Sequence, residues 1–99
     1  MKEYSKSSME ELERRIDEVL FYVWDPIQIN DDPFARWEYS NYVSKTLQLV
    51  MENDTPEPIS AYLEEVVTEM MELAPCKEKS DFTARLLLRH RKVMEEGFF

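Results

Sequence analysis

Apolar residues recur at three- and four-residue steps along most of the chain, and proline or asparagine interrupts that rhythm between segments. Met9, Leu12, Ile16, Val19, Leu20 and Val23 fall on one helical stripe, while Glu10, Glu11, Glu13, Arg14, Arg15, Asp17 and Glu18 fill the other faces. Ser8 and Glu11 stand at capping-box spacing, and Pro26 disfavours helical geometry at Asp25, which predicts a first helix over 8–24. Residues 25–32 form a loop. Asp32 followed by Pro33 is an N-cap with proline at the first helical position, opening a second helix over 33–52. Phe34 and Trp37 anchor its start, and Tyr39, Val43, Thr46, Leu47 and Val50 form its stripe.

Thr55-Pro56 repeats the signal for a third helix over 56–74, with Pro58 tolerated in its first turn and Pro75 stopping it. Its stripe is Ile59, Tyr62, Leu63, Val66, Met70 and Leu73, flanked by Glu64, Glu65, Glu69 and Glu72. A fourth helix over 80–96 starts at Ser80 or Asp81 and ends before Gly97. Phe82, Leu86, Leu87, His90, Val93 and Met94 point inward there, and Arg85, Arg89, Arg91 and Lys92 outward. Four amphipathic helices with short or medium connections predict an all-α compact bundle, a single domain over 1–99.

Composition sharpens this picture in two ways. The chain has 99 residues, 43% of them apolar, and a single glycine. That suffices for a core, but leaves too few positive-φ positions for the turns of an all-β fold. The one cysteine, Cys76, has no partner for an internal disulfide, and no stretch approaches the ~18 apolar residues of a membrane span. The N-terminal residues lead into a charged helix without an apolar signal core, so the expected compartment is the cytosol and no membrane partner is expected.

Net charge is −9, unevenly spread. Residues 1–75 hold 17 acids and 6 bases, a net of −11, whereas residues 76–99 hold 4 acids and 6 bases, a net of +2. An anionic body repels phosphate backbones, which argues against nucleic acid and leaves solubility or attraction to a basic protein as explanations.

Catalysis without a cofactor needs convergent acids, bases or nucleophiles, and the sequence shows none; no enzyme activity and no cofactor are expected. His90 is the only histidine and sits on an apolar stripe, where it reads as a structural imidazole. Cys76 reads as an incidental loop thiol. Asp25, Asn30, Asp31 and Asp32 lack the alternation, glycine and terminal glutamate of a calcium loop, and Asp25 and Asp32 read as caps or braces of helix ends. Glu10 with Glu13, or Glu65 with Glu69, lack the Glu-x-x-His element of a di-iron site. No metal is expected. Arg85, Arg89, Arg91 and Lys92 have no aromatic ladder beside them and suit the helix dipole instead of RNA. Trp24, Trp37, Tyr39, Tyr42 and Tyr62 are expected in the core or at its rim. Any of them left exposed is an interface candidate.

The run Val23-Trp24-Asp25-Pro26-Ile27, then Asn30-Asp31, Arg36, Glu38-Tyr39 and Tyr42-Val43, carries a further signal. Over roughly residues 18–50 it resembles a group of small helical bacterial proteins with "WDPIGV" at the end of the first helix and "R-x-EY-x-x-YV" in the second. That group includes immunity proteins encoded beside contact-dependent growth inhibition toxins. This chain departs from the pattern with Gln28 for the usual glycine, Ser40 for aspartate and Ser44 for proline. Gln28 must therefore avoid positive φ or tolerate its strain. The resemblance implies a protein that binds and neutralises a cognate toxin domain by occlusion, and a cationic nuclease would suit the acidic charge.

Charge clustering selects Asp31, Asp32, Glu64, Glu65, Glu69 and Glu72 as partner-binding residues. Asp25 is expected to pair with Arg36 or to cap the second helix, making the shared motif structural. The alternative reading is a non-enzymatic helical regulatory or structural module, including a homodimeric one.

Overall fold

The computed structural model describes residues 4–97, and among them four α-helices and no strand. Helix α1, Lys6–Val19, is capped by Ser5, whose hydroxyl oxygen accepts the Ser8 N–H at 3.1 Å. Ser5 has the extended backbone that an N-cap requires. Ser8, the expected cap, lies inside the helix, and Glu11 pairs with Arg14 and Arg15 instead of reaching back. The last turn of α1 widens into a π-turn, Leu20–Trp24, closed by the Asp25 N–H on the Leu20 carbonyl at 3.0 Å. A wider turn rotates each residue less, so the inward face passes from Val23 to Trp24. Phe21 and Trp24 are buried, and Val23, expected in the stripe, is only partly so.

The second predicted helix is half irregular. Asp32 caps as expected, accepting the Phe34 N–H at 2.9 Å, but the 3₁₀ turn Pro33–Ala35 runs no further. Bonds from residue i to i−3 continue from Glu38, Ser40 and Tyr42, through a second 3₁₀ turn at Ser40–Tyr42. Only Val43–Glu52 forms α2. Tertiary ties account for the broken helix: Arg36 reaches Asp17 and the Tyr39 hydroxyl reaches Asp25, both on or just after α1.

Helix α3, Glu57–Glu65, also ends in a π-turn, Val66–Met70, closed by Met71 N–H on the Val66 carbonyl. That turn buries Val66 and Val67 and releases Met70 and Leu73, expected in the stripe, to the surface. The chain then turns out of the helix at Glu72, with φ 55°, short of the predicted end at 74.

Helix α4, Lys77–Glu95, starts three residues before Ser80. Its inner face is Ser80, Thr83, Ala84, Leu87 and Met94, with small residues where α3 approaches. Phe82, expected inward, is thereby turned outward. Arg91, expected outward, is drawn in. Its guanidinium donates to the carbonyls of Val50 at 2.6 Å and Asn53 at 2.8 Å and pairs with Asp54, closing the C-terminal end of α2.

All four helices contribute to one core, with Leu12, Ile16, Leu20, Trp24, Val50, Ile59, Leu63 and Leu87 fully enclosed. The radius of gyration of 13.1 Å matches the roughly 13 Å of a compact chain this long.

Candidate functional site

The end of α1 and the irregular segment after it build a surface from a buried carboxylate upward. Asp25 has left-handed backbone, φ 34°, and is almost fully enclosed. Its carboxylate accepts the N–H groups of Ile29 at 2.8 Å and Asn30 at 3.1 Å, so the loop wraps around it. The Tyr39 hydroxyl donates to the same carboxylate at 2.7 Å and accepts the Ile27 N–H at 3.0 Å. Burial, reinforced by the hydrogen bond to Asp25, pushes the Tyr39 phenol far above its ordinary range and keeps it a donor. Gln28 adopts φ 61°, so the chain takes the strained alternative at that position.

Arg36 is not the partner of Asp25. Its guanidinium pairs with Asp17 at 2.8 Å and stacks over the rings of Phe21, Tyr22 and Trp37 at 4.8–5.5 Å. The hydrogen bond to Asp17 raises its pKa, so the charge is permanent. One cation therefore bridges two surface aromatics. Tyr22 is 54% exposed and Trp37 68%, and Phe34, on the same short segment, is 96% exposed. Asp31 and Asp32 rim a cleft of about 410 Å³ that Tyr22, Pro33 and Arg36 also line. Aromatic rings and arginine on a fixed frame, beside acids, have the composition of a binding hot spot.

The six acids chosen from the sequence do not form one site. Asp31 and Asp32 lie beside the aromatic surface, with Asp32 also occupied as a cap. Glu64, Glu65 and Glu69 line a groove of about 970 Å³ between α3 and α4. Within it Glu64 is engaged internally: its carboxylate accepts the Cys76 N–H at 3.0 Å and the buried Ser80 hydroxyl at 2.9 Å, fastening the start of α4. Glu64→Ala should therefore cost about 2 kcal/mol of stability in urea unfolding, with Glu64→Gln recovering part of it, because two inner donors lose their acceptor. Glu72 sits exposed at the positive-φ turn outside the groove lining.

Phe34 and Trp37, expected as helix anchors, stand exposed on this surface. A signal existed. Stepping back from Val43 and Tyr39 by three and four residues reaches Arg36 and Ala35, so Phe34 and Trp37 are out of phase with the stripe they were meant to anchor.

Other reactive groups lie away from this face. His90 is half-buried and accepts a hydrogen bond from Arg15 at Nδ1, 3.2 Å away; burial, then the Arg15 charge, hold its pKa below the ordinary histidine value. Burial raises the Cys76 thiol. Among the described residues no group of three or more His, Cys, Asp or Glu is placed to hold a metal ion, and no helix is long and apolar enough to cross a membrane. Comparison with protein-family models, with curated proteins and with solved structures finds no match to this chain.

Proposed function

We propose that this chain is a non-enzymatic binding module whose partner is a protein, namely a cationic toxin domain that it neutralises by occlusion in the cytosol. The observation that carries this reading is the exposure of Phe34 and Trp37, beside Tyr22, on a segment that Tyr39 and Arg36 tie to the end of α1. Large exposed aromatics cost hydration free energy in the free protein and recover it when a partner covers them. Preorganisation reduces the entropy lost on docking. The excess of acids over the first 75 residues would speed association with a basic nuclease domain and reject acidic partners. The resemblance in the Trp24–Val43 segment supports the same reading.

Growth rescue tests it: a toxin domain encoded beside this chain is expressed with and without it. Rescue is expected, together with a co-purifying complex that weakens as salt rises. No rescue and no complex, with both proteins folded, would overturn the toxin reading. The second reading, a regulatory or structural module acting as a homodimer, draws on the α3–α4 groove, whose walls carry opposite charge.

A further inference from the structure

The α3–α4 groove shares no lining residue with the cleft beside the aromatic surface, and its chemistry is different. On the α3 side stand Glu57, Glu65 and Glu69, with Ala61 and exposed Met70 as apolar surface; on the α4 side Lys77 and Arg85 flank Asp81. Among the described residues, Glu57, Glu65, Glu69 and Arg85 make no ion pair, and the only ion pair of Lys77 is a 3.4 Å contact with Asp81. Asp81 itself is turned across the groove onto the Ser60 hydroxyl.

We infer that this groove is a self-association surface whose occupant is a second copy of this chain, packed about a two-fold axis parallel to α3 and α4. The two helices run antiparallel, since Ser60 meets Asp81 while Glu64 meets Ser80 and Cys76. Extending that register sets Glu57 level with Arg85 and Glu65 level with Lys77. A two-fold axis along the helices keeps those levels and exchanges the walls. Glu57 and Glu65 of each copy then face Arg85 and Lys77 of the other, with Ala61 between them at the level of Asp81. Such an interface is isologous: every pair occurs twice. A wholly cationic partner would satisfy the α3 wall but meet Lys77 and Arg85 on the other side. A second copy offers bases to the acids and acids to the bases. The inference deepens the homodimer reading, and it holds whether or not the aromatic face binds a toxin.

The test is sedimentation equilibrium up to millimolar concentration on the wild type, on E57K/E65K, on K77E/R85E and on an equimolar mixture of the two variants. Expected are a monomer–dimer equilibrium for the wild type and a dissociation constant raised roughly tenfold or more in each variant. The mixture should regain heterodimers, because reversed acids then face reversed bases. A wild type that stays monomeric, a dimer that neither variant weakens, or weakened variants that fail to pair in the mixture would each overturn the inference. Circular dichroism checks folding; should a reversal variant not fold, E57Q/E65Q must weaken the dimer in its place, and wild-type dimerisation by that pair overturns the inference equally. The growth-rescue result is read separately, so failure here leaves the toxin reading standing.

Discussion

Asp25→Ala is expected to lower the free energy of unfolding by about 2–4 kcal/mol. Three donors converge on the Asp25 carboxylate: the amides of Ile29 and Asn30 and the Tyr39 hydroxyl. The buried Tyr39 hydroxyl left without an acceptor costs about 1–3 kcal/mol, and the half-buried Ile29 and Asn30 amides lose less because water can reach them. Backbone geometry adds to the penalty. Asp25 sits at φ 34°, a region that aspartate tolerates better than alanine.

Asp25→Asn should cost about 2 kcal/mol, since the amide can keep one oxygen acceptor but presents a donor to one of its former partners. Urea unfolding followed by circular dichroism measures both. A domain of this size has about 5–15 kcal/mol in total, so the alanine variant should show a large fall in midpoint at unchanged slope. A loss below about 1 kcal/mol would mean that the carboxylate does not hold the loop, and the frame under Trp37 would go with it.

The second large effect is on binding. Phe34→Ala and Trp37→Ala together should weaken the complex with a cationic toxin domain by about a hundredfold or more, since truncated hot-spot aromatics cost about 2–4 kcal/mol. Stability should separate from affinity. Phe34 is almost wholly exposed, so its loss should change unfolding by no more than about 0.5 kcal/mol. Trp37 stacks with the Arg36 guanidinium at 4.8 Å, and losing that contact should cost about 0.5–1 kcal/mol. Titration calorimetry beside thermal unfolding resolves the two quantities. Affinity within about threefold of wild type in a variant that still neutralises the toxin would remove this face as the interface.

Much of the architecture was legible in the residue pattern because local physics dictates it. Apolar positions at three- and four-residue steps define α1, α2, α3 and α4, and Leu12, Ile16, Val50, Ile59, Leu63 and Leu87 fall in the core where periodicity puts them. Asp32 caps and Pro33 starts a turn, as the Asp-Pro pair indicates. Sparse glycine argues against a strand-rich fold.

Tertiary structure decided everything that depends on partners distant in sequence. Capping-box spacing points to Ser8, with Glu11 three residues on, yet the extended backbone is at Ser5, which makes the cap. Residues 33–42 have helical spacing, yet Asp17 and Asp25 pull Arg36 and Tyr39 onto α1, and a continuous helix is given up for those contacts. Glu64 and Arg91 look like surface charges in sequence; 12 and 41 residues separate them from Cys76 and Val50, the backbone groups they satisfy. Phe34 and Trp37 are out of phase with the stripe, so their outward side was legible in the spacing, while the broken helix decides what stands beside them. Periodicity reports which side of a regular helix faces inward, and it has no authority over a segment whose geometry is set by hydrogen bonds to another element.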